Sequence, residues 1–596
     1  MKTASVTVDK PTTAAAAEVP QMGVMITAEA ALYAAILGVA AMLRLWNLAA
    51  SPLSAREAAQ AVAAFNGLPL PTGGSPLLFG INQLLFGLFG TTVTDSGVRL
   101  AAALIGTSMV LLPALFRLAI GRYGALAAAL LLAISPTLVV ASRSLDGSIV
   151  TAACALAAIG FGLHYFTAQR RIDLIGLAIA IGLGVTSGPG FITIGVVLIP
   201  ALWIAYRWLA SVDDRERLKQ LWQDPAARRD VVLIGGVTCV LAATTLLLRP
   251  TGLADVANSL SAWLGAWRGE DSIGALQLFQ ILIVYEPLIL FFGLAGLILS
   301  LRRLSGPTTL LGLWSIGALI VALLQAGRQV FDLTLVLTPL ALLGGLAIDQ
   351  LARNLEQHGA WRAEGLFWIA AAVVLSFAAI NASRTAIDNV TANLFLGVPL
   401  SPAASLGVGT LLMALVVSGV FVLVIGWRAT LRAGIVTLIV VWAIIEWSTA
   451  WSVTQVQPGN PRELLWGPTA TSVDVRMMRE MIEAASRRRT GFLNQVPMAV
   501  TLPQDDPVVR WYLRDFAKAE YNAVVSDLAP VIVAPQGSTF PPFVPDTYQG
   551  QQFVTQTMWE PSQLTDNDFL RWWLYHESDT APLPAQTYMV WVKLNP

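Results

Sequence analysis

About thirteen strongly apolar stretches follow one another between residues 27 and 450, and a polar tail of about 145 residues then closes the chain. An α-helix needs about 20 apolar residues to cross a bilayer, where every backbone N–H and C=O must be satisfied inside the segment. The pattern therefore predicts a mainly α, polytopic transmembrane helical bundle with one soluble appendage. Spans are expected near 27–47, 98–120, 124–142, 148–167, 172–186, 189–208, 231–248, 279–300, 308–325, 330–350, 365–381, 404–426 and 433–450. Composition agrees, with 56% of residues hydrophobic and only 12% charged. The 37 basic and 37 acidic side chains balance, which leaves no basic surplus for a nucleic-acid partner.

Residues 1–22 carry Lys2 and Lys10 with no apolar core beside them, so they read as a disordered cytoplasmic leader and not as a cleaved signal peptide. With that end cytoplasmic, basic residues from Arg117 and Arg122 through Arg302, Arg303 and Arg353 to Arg428 and Arg432 fall on the cytoplasmic side. The opposite connections carry about half as many, as the positive-inside rule requires. An odd number of spans then puts the tail outside. The expected division is a leader at 1–22, a transmembrane domain at 23–451 and an extracytoplasmic α/β domain at 452–596. Within the tail, helices are expected at 471–489, 508–516 and 569–576, with strands at 498–502, 531–534 and 588–594. The tail has no Gly-rich phosphate loop and no Ser/His/Asp spacing, so a lid, a partner surface or a structural cap is its expected role. Cys154 and Cys239 lie in apolar spans far from metal-ligand spacing, which leaves neither a disulfide framework nor a Cys-based metal site.

Three outer connections are long: 48–97, 249–277 and 381–403. The first carries an amphipathic helix at 54–66 and a 76–89 segment too short to span, suited to the membrane surface. Around it lie Arg44-Leu45-Trp46, Glu57-Ala58, Ser75-Pro76-Leu77-Leu78-Phe79, Leu84 to Gly90 and Val98-Arg99-Leu100. Ala133-Ile134-Ser135-Pro136 follows, before Ser142-Arg143. This order of features resembles the C-type (GT-C) membrane glycosyltransferases, which include protein O-mannosyltransferases and the lipid A aminoarabinose transferase. The tail segments Asn460-Pro461-Arg462-Glu463, Thr471 to Val475 and Trp511-Tyr512-Leu513-Arg514-Asp515 are closer still to the flippase-activity-associated branch.

The resemblance implies a GT-C fold and transfer of a sugar from a polyprenyl-phosphate donor to an extracytoplasmic acceptor. It implies a polyprenyl-phosphate-linked sugar, membrane lipids and envelope glycosylation proteins as partners. No cofactor is called for, and a divalent metal stays open. In the family an Asp of the first outer loop, usually in an Asp-Glu pair, acts as base on the acceptor. Here the pair reads Arg56-Glu57, and the family's acidic position after Ser142-Arg143 is taken by Asp146, displaced by about two residues. Where the branch often carries Lys-Glu, the chain has Thr186-Ser187-Gly188-Pro189. These departures set the alternative, a homologue without catalysis that serves as a lipid-linked-sugar binding or flippase-associated subunit. A transporter is a third reading, against which no inverted repeat is visible.

Glu57 and Asp146 are the expected catalytic carboxylates, although Glu57 on a surface helix also fits a solvated charge. Arg56 stands beside it as a substrate contact. Arg143 and Asp146, three residues apart, share a face if the helix continues, as an ion pair or as a helix stop. Glu286 lies about eight residues into the eighth expected span, with Pro287 after it, where an ionised carboxylate costs about 2–4 kcal/mol. It is a cavity acid, a partner for an arginine such as Arg328, or a group that satisfies backbone near a proline kink. Arg328 and Asp332, four apart, fit one helical face, where a guanidinium holds a carrier phosphate or snorkels to the interface. Trp263 and Trp267 are the expected acceptor or lipid contacts among 19 tryptophans, many of them at span ends. His164 has no second ligand at metal spacing. Asn381-Ala382-Ser383 and Asn389-Val390-Thr391 match the glycosylation acceptor pattern in an outer loop.

Overall fold

The computed structural model describes residues 27–269, 273–358, 361–387, 393–395, 398–400, 402–502, 506–521, 529–538, 547–559, 564 and 566–594. Among these, eight helices are long and apolar enough to cross a membrane: Ala28–Leu45, Asp95–Ile120, Gly147–Ala168, Gly190–Leu209, Gly306–Leu324, Val330–Asn354, Ser405–Ile425 and Trp427–Val456. Two bent pairs bring the number to ten: Arg122–Ile134 with Pro136–Ser142, and Ala275–Tyr285 with Pro287–Arg303. The other three expected spans are helices too, Arg171–Val185, Pro225–Ala243 and Trp361–Ile387, but their apolar stretches are short or begin in charge. The chain is a multi-pass membrane protein. The leader expected at 1–22 lies outside the described residues, as does Asn389. Asn381 lies within the Trp361–Ile387 helix, beyond its apolar stretch, which ends at Ala379.

The two bends have one cause. A proline has no N–H to give and its ring clashes with the carbonyl four residues back, so a helix restarts there more easily than it continues. Pro136 and Pro287 each open the second helix of their pair, and the axes turn by 63° and 97°. Each break strands backbone groups in an apolar interior, where they must find partners. The orphaned carbonyls of Leu132 and Ala133 accept from Arg44 Nη2 at 2.7 Å and Nη1 at 2.8 Å, and Arg44 is 1% exposed. The Thr137 N–H donates to Glu286 at 2.9 Å, and the Leu288 N–H donates to Glu446 at 2.7 Å.

Leu333–His358 is the central helix, packed against Arg122–Ile134 and Pro287–Arg303. The Val330–Asn354 stretch is 78% buried within the chain whereas Ser405–Ile425 is 0% buried, so the former lies in the bundle core and the latter on its rim. Close approach depends on small residues. A Cβ added to Gly296 would stand 1.8 Å from the Leu343 carbonyl oxygen, so only glycine allows this contact.

The first long connection folds as expected into two helices, α2 (Ala55–Phe65) and α3 (Pro76–Phe89), between α1 (Ala28–Leu45) and α4 (Asp95–Met109). In the third connection, β1 (Asn393–Phe395) pairs antiparallel with β2 (Val398–Leu400). The tail forms a six-stranded mixed sheet from β3 (Ala470–Thr471), β4 (Met498–Val500), β5 (Ala519–Tyr521), β6 (Val531–Pro535), β7 (Tyr548–Met558) and β8 (Leu583–Lys593), in the order β3-β7-β8-β6-β4-β5. Parallel pairing of β4 with β5 and β6 needs crossover connections, and the helix Pro507–Tyr512 lies in the first of them. Helices Asp474–Thr490 and Asp566–Tyr575 complete the α/β unit. The expected helices and strands of the tail are all present. The sequence reading missed β7, whose Gln549 to Gln552 run faces solvent and lacks an apolar signature.

Because Arg44 meets the two carbonyls stranded by Pro136, Arg44→Met is expected to destabilise the chain by about 2–5 kcal/mol. Thermal unfolding in detergent measures this, and an unchanged midpoint would contradict the assigned role.

Candidate active site

The capping chemistry of α2 sets the position of Glu57. Ser54 accepts from the Glu57 N–H while Glu57 Oε2 accepts from the Ser54 N–H at 2.8 Å, a reciprocal capping box that turns the carboxylate back toward the helix start. There it meets Arg99 of α4: Nε donates to Oε1 and Nη2 to Oε2, both at 2.8 Å. The Leu145 N–H adds a fourth bond, to Oε1 at 2.9 Å. Burial by itself would raise the Glu57 carboxyl, but Arg99 and the two backbone donors outweigh it and hold the group below the usual carboxylate range. Arg99 also donates to the carbonyls of Leu48, Ser51 and Pro52. Glu57 is thus the anchor of the connection between α1 and α4, and its solvated-face reading is corrected: it is 3% exposed.

Beside this anchor the fold gathers three expected site residues from separate segments. Arg56 is exposed at the start of α2 and makes no hydrogen bond among the described residues. Asp146 caps Gly147–Ala168, accepting from the Ser148 N–H at 2.7 Å. Asp332 ends the short turn Val330–Asp332, which packs against Pro136–Ser142 and Gly147–Ala168, and it accepts from the Gln329 N–H at 2.7 Å. Asp332 lies within electrostatic reach of both Asp146 and Arg56. Ser75, the cap of α3, adjoins Gly147, so helix N-termini at Ser54, Ser75 and Asp146 collect here. Such ends present unpaired N–H groups and the positive pole of the helix dipole.

The remaining candidates do other work. Arg143 and Asp146 do not share a helical face, because the helix stops at Arg143 and restarts at Gly147. Arg143 instead donates to the carbonyls of Leu43, Arg44, Trp46 and Asn47 and closes the end of α1. Arg328 and Asp332 are not a helical pair either, since Arg328 precedes the turn and donates to the carbonyls of Ala322, Leu323 and Ile273. Glu286, 0% exposed, does not meet Arg328. It accepts from Ser135 Oγ and the Thr137 N–H, and so bonds the neighbouring break. Glu446 lies within its electrostatic reach, and Oε2 of both has no hydrogen-bond partner among the described residues. Trp263 and Trp267 pack edge to face at 5.5 Å, half-buried, with Trp263 Nε1 donating to Thr193 Oγ1.

Sequence reasoning missed the clamp that joins the tail to this region. Asp95 accepts from Trp511 Nε1 at 2.8 Å, Tyr512 Oη at 2.9 Å and Arg476 Nη2 at 2.8 Å. Arg476 also donates to the Ala49 and Ala50 carbonyls, and Arg514 to that of Val93. The adjacent Trp511-Tyr512 in a polar segment was the available signal. A second junction centres on Glu463, which accepts from Tyr285 Oη at 2.5 Å and lies 2.7 Å from His576 Nδ1. Burial lowers His576, but the Glu463 carboxylate raises it by more, so its net shift is upward.

Residues 73–223 match the family model described as dolichyl-phosphate-mannose-protein mannosyltransferase. That segment holds the Ser75-Pro76 and Ala133 to Arg143 motifs, and the resemblance to C-type membrane glycosyltransferases is borne out there. Comparison with curated proteins gives no match. Among solved structures, the chain is similar to apo ArnT from Cupriavidus metallidurans at 16% identity, over 81% of this chain and 84% of that one, with a TM-score of 0.49. ArnT bound to undecaprenyl phosphate gives 16%, 83% and 85%, with a TM-score of 0.48. The apo oligosaccharyltransferase of Archaeoglobus fulgidus gives 13% identity over 83% of this chain and 64% of that one, with a TM-score of 0.48.

Two pH dependences follow. The depressed Glu57 carboxyl gives stability that is complete above its unfolded value of about 4.3 and is lost as pH falls through the lower folded value. Hydrogen exchange across residues 48–66 should therefore accelerate on acidification, and Glu57→Gln should abolish that step. The raised His576 gives the opposite sign. Its contribution is complete below the unfolded value of about 6.5 and is lost as pH rises through the higher folded value. Exchange across residues 460–466 should quicken on the alkaline side, and His576→Gln should flatten the profile.

Proposed function

We propose that the chain is an integral membrane glycosyltransferase that moves a sugar from a polyprenyl-phosphate donor to a hydroxyl of an extracytoplasmic acceptor. The observation that carries this reading is the cluster of Asp146, Asp332 and Arg56, an arginine that makes no hydrogen bond among the described residues, where helix N-termini converge. In this mechanism the acceptor oxygen attacks the anomeric carbon and Asp146 takes the hydroxyl proton. The bond from that carbon to the phosphate oxygen breaks, and the polyprenyl phosphate leaves with the electron pair. Arg56 and the helix ends face the phosphate, and Asp332 orients the acceptor. Glu57 is a positioning residue in this scheme, since taking a proton there would cost it bonds from Arg99, Ser54 and Leu145. Arg143, Glu286 and Arg328 hold backbone, and Trp263 with Trp267 supports the second outer loop.

The cluster is outward in this reading, with the start of α1 cytoplasmic and the tail extracytoplasmic. Glu29 pairs with Arg117 and Arg122 at the opposite end of α1, where Arg303 and Arg353 also gather around the end of the central helix. This clustering of basic residues supports that orientation. A second reading, a non-catalytic lipid-linked-sugar or flippase-associated subunit, is favoured by Arg56 itself. A guanidinium that stays protonated cannot act as base at the position where the resemblance implies an Asp.

Turnover of labelled polyprenyl-phosphate sugars by the purified protein separates the two. Asp146→Asn is expected to lower release of carrier phosphate by about 10²–10⁴-fold while leaving the melting temperature unchanged. Full activity in that variant removes Asp146 as the base, and carrier binding without turnover by the wild type favours the subunit.

A further inference from the structure

A cavity of about 260 Å³ lies where the helix Ala275–Tyr285 meets the tail, away from the Asp146 cluster. Trp466 and Trp559 line it, with Gln277, Glu463 and Thr557 between them. We infer that this cavity is a saccharide-binding site, which takes a neutral pyranose through its two indole rings and its ring of polar groups.

Several observations meet in this assignment. The volume is just below the range of about 300–1,000 Å³ that drug-sized ligands fill, so it has the size for one sugar ring. A pyranose has a C–H face that stacks on aromatic rings and a rim of hydroxyls that both donate and accept. Trp559 is preorganised for stacking, because its Nε1 donates to Thr580 Oγ1 at 3.0 Å and its ring leans on Trp572 at 5.5 Å, with 38° between planes. The hydroxyl rim has its counterparts. Trp466 lines the cavity, and its Nε1 is buried with no hydrogen-bond partner among the described residues. The Gln277 side-chain amide likewise bonds to no described residue. A Cβ on Gly467 would stand 2.8 Å from Gln277 Nε2, so glycine there leaves room for the amide. Glu463, 3% exposed, supplies a fixed acceptor held by Tyr285 and His576. No Lys or Arg is among the lining residues, which disfavours a phosphate and leaves an uncharged polyol as the matching chemistry.

This inference rests on the transferase reading only for where such a sugar would come from. Titration of the full chain in lipid nanodiscs, followed by calorimetry, tests it with methyl glycosides of mannose, glucose and N-acetylglucosamine, and with a neutral Gly/Ser/Thr hexapeptide. Saturable binding of a glycoside is expected. Trp466→Phe, which keeps an aromatic ring but loses the N–H, and Gln277→Ala should each weaken it by about 3–10-fold at unchanged melting temperature. Absence of saturable glycoside binding, binding that neither variant alters, or saturation by the peptide alone would overturn the assignment. Glycoside binding by a chain without turnover sustains this site and rejects the transferase reading. Turnover without such binding does the reverse.

Discussion

The constraint on which the rest of the structure depends is the need to satisfy backbone groups wherever a helix stops inside an apolar bundle. Unbroken helices meet it alone, but this chain breaks at Ser135-Pro136 and Glu286-Pro287. Arginine forks answer the stranded carbonyls. Arg44 serves Leu132 and Ala133, Arg143 serves the end of α1, Arg99 serves Leu48, Ser51 and Pro52, and Arg328 serves the end of Gly306–Leu324. Carboxylates answer the stranded N–H groups: Glu286 for Thr137, Glu446 for Leu288 and Glu57 for Leu145. Guanidinium suits this role because its donors lie in one rigid plane and it stays charged when desolvated.

This constraint also determines where the site can form. The Glu57–Arg99 pair ties α2 to α4 and to the Leu145 turn, so Arg56 and Asp146 are held by the same few bonds. Removing one partner from a buried pair leaves an uncompensated charge at a cost of about 3–5 kcal/mol, more than a lone surface pair is worth. The tail reinforces the same junction through Asp95, four residues before Arg99, with Trp511, Tyr512 and Arg476 closing over it. These contacts lay the tail against the segment between α1 and α4.

What was legible in the sequence follows from the kind of signal each element leaves. A membrane span is local, because about twenty apolar residues declare it, and the thirteen expected stretches are all helical here. The Ser54 to Glu57 spacing made the start of α2 readable for the same reason. The partner of a charge is not local. Glu57 and Arg99 stand 42 residues apart, and Asp95 and Tyr512 stand 417 apart, so no periodicity joins them. Spacing arguments failed for Arg143 with Asp146 and for Arg328 with Asp332 because both presume a continuous helix, and each pair straddles a helix end. The motifs that carried the resemblance prove to be junction residues: Arg44, Ser135-Pro136, Glu463 and Trp511-Tyr512 each join separate segments.

On the proposed transferase reading, the charges of the cluster bear on how a lipid phosphate would approach it. Asp146 and Arg56 both lie within electrostatic reach of Asp332, so two carboxylates share this cluster with Arg56. A glycosyl phosphate brought between the two carboxylates would meet like charge in a partly desolvated setting, which costs several kcal/mol at an effective dielectric of about 20. The anion is therefore favoured on the Arg56 side, against the helix N-termini, and the acceptor hydroxyl on the carboxylate side. That separation is the one glycosyl transfer needs, with leaving group and nucleophile on opposite sides of the anomeric carbon. On the proposed reading, an arginine where the resemblance implies an acid would strengthen the donor half of the site, and proton removal would fall to a carboxylate that reaches the acceptor from another helix.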